Sequence, residues 1–344
     1  MPLVLADFLS RYDNIIFDMD GVITSEQNYW DIAALTVYEM LTDKHYYGTK
    51  HVDIGAMLSR IGSIRADVFY SDRLIELFKA RGVNSNWDLA YLTLAFRLSG
   101  LDSGEAVYSA LHETEDYAFE LYEKAASILS MSLNLDYETC VRGGSVWSTV
   151  MLVFQEWYLG AKAFGDKYNQ SPVRAEKSGM SGREIPIVPE KELRELLALL
   201  YSSGKMLAIG TGRPKNELDV PLEMWDIRRY FNEDHIIDYN FVFSAENACG
   251  RQLTKPHPYM FIKALLGRDY SDAKILENKF DASLAKRTLV VGDAGADIFA
   301  AHAMGAAFAA VLTGIKGERE RGFFAEHGAE HILPSVLNLG RVVG

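Results

Sequence analysis

The chain has 344 residues, the size of two domains or of one domain with a large insertion at about 150 residues per domain. Hydrophobic residues make up 49% and charged residues 24%, an ordinary globular composition with ample material for a core. The formal net charge of -12 argues against nucleic acid or an anionic membrane as partner, but not against a small anion held at a locally cationic site.

Cys140 and Cys249 are the only cysteines, too few for a disulfide framework or a zinc site, so reduced thiols in a cytoplasmic protein are expected. The opening "MPLVLADFLSRYDN" has neither the basic start nor the apolar stretch of a signal peptide. No apolar run approaches the ~20 residues of a membrane helix.

In chain order, the first predicted strand is "IIF" at 15–17, which runs into Asp18, Asp20 and Gly21. From about 28 to 165 helical patterns follow one another. They include "YWDIAALTVYEML", "SNWDLAYLTLAFRL", the long "EAVYSALHETEDYAFELYEKAASILSM" and "SVWSTVMLVFQEWYLGAKAF". Ser85 and Asp88 have the spacing of a capping box. Trp30, Trp87, Trp147 and Trp157 read as packing residues. His45, His51 and His112 show no metal-ligand spacing. The polar segment 165–186 leads back, and two linkers side by side would make a hinge.

Four further apolar runs then alternate with helical patterns: "MLAIG" at 206–210, "FVF" at 241–243, "TLVVG" at 288–292 and "AFAAVL" at 307–312. The helix from Glu190 carries Leu193, Leu196, Leu197 and Leu200 at helical spacing, with Gly204 as its stop, and later helices end at Gly267 and Gly305. The expected fold class is α/β: a doubly wound, parallel, Rossmann-like sheet core with a large inserted all-helical domain. The expected boundaries are 1–26 for the first core segment, 27–177 for the helical insert and 178–344 for the rest of the core.

In open α/β sheets ligands bind beyond the C-terminal ends of the strands. Asp18, Asp20 and Gly21 follow the first run. Thr211, Gly212 and Arg213 follow the second, Lys255 lies beyond the third, and Asp293 and Asp297 follow the fourth. Clustered carboxylates need a compensating cation, and a hard divalent ion such as Mg²⁺ takes oxygen ligands. The set suits phosphoryl transfer. Asp18 could be metal ligand and nucleophile, and Asp20 general acid and then base. Thr211 and the amides of Gly21 and Gly212 could hold phosphate oxygens, and Lys255 could offset charge on phosphorus and on Asp18. Arg213 reads as a phosphate contact or, nearly as readily, as a surface side chain beside a proline turn, and Glu246 and Asn247 equally as loop or as support for the site.

"DMDGV" at 18–22, "GTGRP" at 210–214, "TKPHP" at 254–258 and "GDAGAD" at 292–297 occur in an order that resembles the haloacid dehalogenase-like (HAD) hydrolase superfamily. Within it the chain resembles the phosphoglycolate phosphatase and β-phosphoglucomutase type with a helical cap. The resemblance covers roughly 1–26 and 186–344. It implies Asp18 as nucleophile, Asp20 as acid and base, and Thr211 and Lys255 as catalytic groups that also bind the substrate phosphate with Gly21, Gly212 and Arg213. It implies a Mg²⁺ site from Asp18, the Asp20 carbonyl, Asp293 and Asp297. The expected activity is hydrolysis of a small-molecule phosphate monoester through an aspartyl-phosphate. The alternatives are a phosphomutase on the same core and a non-catalytic regulatory module. The residues leave the particular substrate and the oligomeric state open.

Overall fold

The computed structural model describes residues 3–83 and 85–342. The chain divides into two compact units: residues up to Glu26 together with those from Glu184 on, and Gln27–Arg183.

The first unit is built on a six-stranded parallel sheet. Its strands are β2 (Asn14–Phe17), β3 (Met206–Gly210), β4 (Ile236–Ile237), β5 (Thr288–Gly292), β6 (Ala307–Val311) and β7 (His331–Leu333), in the order β4-β3-β2-β5-β6-β7. A separate antiparallel pair joins β1 (Leu3–Leu5) to β8 (Gly340–Val342). β2 is central, with Phe17 opposite Ile209 on one side and Val291 on the other. The chain order reverses direction across β2, so its C-terminal end is the place where an open sheet leaves a crevice.

Alternation along the strands assigns each face its own core. Ile15, Phe17, Leu207, Ile209, Leu289 and Val291 pack in one cluster, and Ile16, Ala208, Val290, Phe308 and Ala310 in the other. Both faces are covered, which is why the strands read as continuous apolar runs. The helix Glu190–Ser202 buries Leu193, Leu196, Leu197 and Leu200 as expected, and the chain turns at Gly204 with φ +77°.

One expectation for this unit is corrected. "FVF" at 241–243 is not a strand but part of the helix Tyr239–Cys249. Asp238 caps that helix by accepting the Phe241 N–H at 3.1 Å, and Val242 and Ala245 face inward one turn apart. The strand lies just upstream as the two residues of β4. A three-residue apolar run carries no period with which to separate the two readings. The edge strand β7 was not anticipated.

The second unit is helical. Gln27–Thr42 and Asn86–Leu98 supply much of its core. Two of the long expected helices are each a pair: Gly104–Leu111 and Ala118–Leu133, then Ser145–Leu159 and Ala161–Tyr168. The second break falls at Gly160, whose φ is +80°. Ser85 accepts the Asp88 N–H at 3.4 Å, but Asp88 does not return a capping bond. Its carboxylate instead receives Trp147 Nε1 at 2.7 Å and Tyr122 Oη at 3.0 Å.

The expected return to the core at 178 falls inside the helical unit. The Met180 N–H donates to the Tyr158 carbonyl at 2.9 Å, and Asn28 Nδ2 donates to the Met180 carbonyl at 3.1 Å, so residues near 180 pack with the helices. The outgoing and returning segments do lie side by side in the sheet unit: Ser25 N–H donates to the Ile185 carbonyl at 2.8 Å and Ile187 N–H to the Ile23 carbonyl at 3.0 Å. No helix among the described residues is long and apolar enough to cross a membrane.

Candidate active site

The site lies at the C-terminal ends of β2, β3 and β5. Asp18 is the first residue after β2, and its N–H continues the ladder to the Val291 carbonyl at 3.0 Å. The chain then turns tightly: Gly21 N–H donates to the Thr24 carbonyl at 2.8 Å, and Gly21 has φ +74°, a conformation that favours glycine.

Lys255 joins two of the acids. Its Nζ lies 2.9 Å from Asp18 Oδ1 and 2.8 Å from Asp297 Oδ1, and it rests 4.9 Å above the Phe261 ring. Burial would lower the lysine pKa, but the two carboxylates outweigh it and raise it. Burial pushes the Asp18 carboxyl up to about 7, Lys255 opposes the rise, and Asp297 and Asp20 add to it. The segment that carries Lys255 is braced by Glu246, whose Oε1 accepts the N–H groups of Leu253 at 2.7 Å and Thr254 at 2.9 Å. Glu246 and Asn247 therefore sit on a helix, with Glu246 in a supporting role.

Asp293 follows β5, and Asp297 lies in the first turn of the helix Gly295–Met304. Ligand oxygens of Asp18, Asp293 and Asp297 all lie within 4.8 Å of one another. Asp293 fits because two neighbours lack a side chain: a Cβ on Gly21 or on Gly314 would overlap Asp293 Oδ2. Gly314 and Thr313 were missed in the sequence. Thr313 Oγ1 donates to the Gly21 carbonyl at 2.5 Å, closing the same turn from the end of β6. The rule that pointed to the other strand ends, applied to "AFAAVLTG", would have found them.

Thr211 is buried after β3, and its Oγ1 accepts the Arg213 N–H at 3.2 Å, while Gly212 is exposed. The Asp20 side chain is not part of the group around Asp293. Its carboxylate meets Arg213, with Nε at 3.0 and 3.1 Å and Nη2 at 2.6 Å, and also accepts Thr24 Oγ1 at 2.9 Å. Arg213 is thus a buried ion-pair partner rather than a surface side chain.

Three carboxylates come together here, two of them against the ammonium of Lys255, and every donor is a hard oxygen. That donor set fits a divalent cation such as Mg²⁺.

A second acidic and imidazole group occurs in the helical unit, where Asp43, His45 and His51 come together although their sequence spacing gave no sign of it. The Asp43 oxygens are already taken by the N–H groups of His45 and Val52, by His45 Nδ1 and by Arg174. His112 stands apart, stacked on Tyr108.

The six-stranded parallel sheet with acids and a lysine beyond its strand ends is the arrangement that the HAD-like resemblance implies. Residues 252–339 match the family model described as HAD-hydrolase-like. A protein solved by X-ray as a target of the Northeast Structural Genomics Consortium shares 29% identity and a TM-score of 0.76, over 95% of this chain and 97% of that one. A putative phosphoglycolate phosphatase from Lactobacillus delbrueckii subsp. bulgaricus shares 16% identity at TM-score 0.47, over 95% and 96% of the two chains. A putative phosphatase from Clostridium difficile shares 16% at 0.44, over 94% and 95%. No curated protein matches the chain.

Proposed function

We propose that the protein is a Mg²⁺-dependent phosphatase that hydrolyses a small-molecule phosphate monoester through an aspartyl-phosphate on Asp18. The observation that carries this reading is Lys255 bridging Asp18 and Asp297, with Asp20 held two residues along the same turn. Asp18, Asp293, Asp297 and the Asp20 carbonyl would hold Mg²⁺, which when bound offsets negative charge on the phosphoryl oxygens.

The protein groups then divide the work. The Asp18 carboxylate attacks phosphorus, the bond from phosphorus to the ester oxygen breaks, and the leaving oxygen takes a proton from Asp20. Asp20, now a carboxylate, takes a proton from water as the water oxygen bonds to phosphorus and the bond to Asp18 breaks. Lys255 keeps Asp18 oriented and balances charge on the phosphoryl group. Thr211 and the amides of Gly21 and Gly212 bind phosphate oxygens.

The test is phosphate release from a panel of sugar, polyol and carboxylic-acid phosphates with Mg²⁺, repeated with EDTA and with Asp18→Asn. The expected result is turnover that both treatments abolish. Turnover surviving either one overturns the mechanism.

A further inference from the structure

The Arg213 side chain is 2% exposed and lies between two acids. One is Asp20. The other is Glu184, fully buried, whose Oε1 lies 3.1 Å from Arg213 Nη1. Glu184 begins the return of the chain into the sheet unit. The arginine backbone is fixed as well: its N–H reaches Thr211 Oγ1, its carbonyl accepts the Tyr239 N–H at 2.9 Å, and Pro214 follows and starts the helix Lys215–Met224.

These contacts load the Asp20 carboxylate unevenly. Oδ1 accepts Thr24 Oγ1 at 2.9 Å, Arg213 Nε at 3.0 Å and Arg213 Nη2 at 2.6 Å. Oδ2 accepts Arg213 Nε alone, at 3.1 Å. A carboxylate on a short turn would otherwise turn about both its side-chain torsions, whereas a planar guanidinium fork fixes the plane of the carboxylate it grips.

We infer that Arg213 is a positioning residue for Asp20 rather than a phosphate ligand. Glu184 anchors it, and the lightly loaded Oδ2 is the oxygen that exchanges the proton. This rests on the phosphatase reading above. A phosphate-binding arginine would spend its fork on substrate, but here the buried Glu184 and the half-buried Asp20 occupy it. The chain thereby ties its acid and base to the segment through which it re-enters the sheet unit.

Steady-state kinetics with Mg²⁺ separate the roles, using glycerol phosphate, whose alkoxide needs a proton to leave, and p-nitrophenyl phosphate, whose phenolate does not. Arg213→Met is expected to lower kcat on glycerol phosphate by about 10²-fold, with KM changed by less than about threefold. On p-nitrophenyl phosphate the loss is expected to stay below about tenfold. In an Asp20→Asn background, Arg213→Met adds no further loss on glycerol phosphate, because the group it positions is gone. Glu184→Gln, which keeps the arginine, reproduces the same pattern at about tenfold, and stands in if Arg213→Met fails to melt cooperatively. A rise in KM with kcat unchanged, equal losses on the two esters, or losses that multiply in the double variant overturn the positioning role while leaving the phosphatase reading intact. No turnover of any ester by the unsubstituted protein overturns both.

Discussion

Asp293 is seated directly against Gly21: a side chain at position 21 would overlap the Asp293 carboxylate, and Oδ1 would lie 2.9 Å from the added Cβ. The acid after the fourth apolar run can approach the acids after the first only because that turn has no Cβ. Gly21→Ala should cost about 1–2 kcal/mol for the left-handed backbone alone and also push Asp293 aside. Gly314→Ala isolates the second effect, since it carries no such backbone penalty. It should lower turnover at least about tenfold while changing stability by less than about 1 kcal/mol. Paired melts and kinetics on the two variants check this. Full activity in Gly314→Ala would show that Asp293 needs no fixed seat.

Among the described residues Lys255 is the single cation between Asp18 and Asp297, so its removal leaves two buried acids facing one another. Lys255→Met should destabilise the sheet unit by about 3–5 kcal/mol in the absence of divalent ions. Adding Asp297→Asn should recover part of that loss, because the repulsion disappears with the charge. Urea unfolding of both singles and the double gives the coupling. Additivity within about 0.5 kcal/mol would mean that the lysine does not serve both acids.

The oxygen cluster also predicts linkage between metal and stability. A cation that binds only the folded chain adds about 2.7 kcal/mol at a free concentration one hundred times its dissociation constant. Mg²⁺ should therefore raise the melting temperature and EDTA return it. Asp293→Asn should remove most of the shift, since its oxygens lie with those of Asp18 and Asp297. Calorimetry across a Mg²⁺ titration reads all three.

Much of this site is legible in the chain because its residues follow apolar runs, and the ends of parallel strands converge by topology. Asp18, Asp293 and Asp297 needed only that rule, whereas Lys255 was reached from "FVF", a run that folds as helix. Two other kinds of information are not local. The role of Arg213 depends on Glu184, which no spacing connects to it, and the seat of Asp293 depends on a missing side chain at Gly314. The fold shows the same division. The helix Glu190–Ser202 announces itself through leucines on one face, whereas "FVF" is too short to show a period, and Asp238 decides its fate by capping. In the helical unit, Asp43, His45 and His51 meet because a turn after Thr42 brings them back, and no sequence period records that.

Asp43 gives the helical unit a pH dependence of its own. Its side chain is fully buried beside Arg174. Burial by itself would raise its pKa, but the N–H groups of His45 and Val52, the His45 ring and Arg174 hold the carboxyl well below the usual range. A carboxyl depressed in the folded state binds protons more readily when unfolded. Its contribution is therefore complete above the unfolded value of about 3.9 and is lost as the pH falls through the lower folded value. Stability should hold from pH 7 down to about 5 and then decline through the acid range. Asp43→Asn should lower stability at pH 7 by about 3–5 kcal/mol, because Arg174 loses its buried acid and keeps only the exposed Glu176. It should also flatten the decline below about pH 4, since the titrating group is gone. Denaturant melts of both proteins at a series of pH values measure the slopes. Equal slopes would place the acid sensitivity elsewhere, whatever the loss at pH 7.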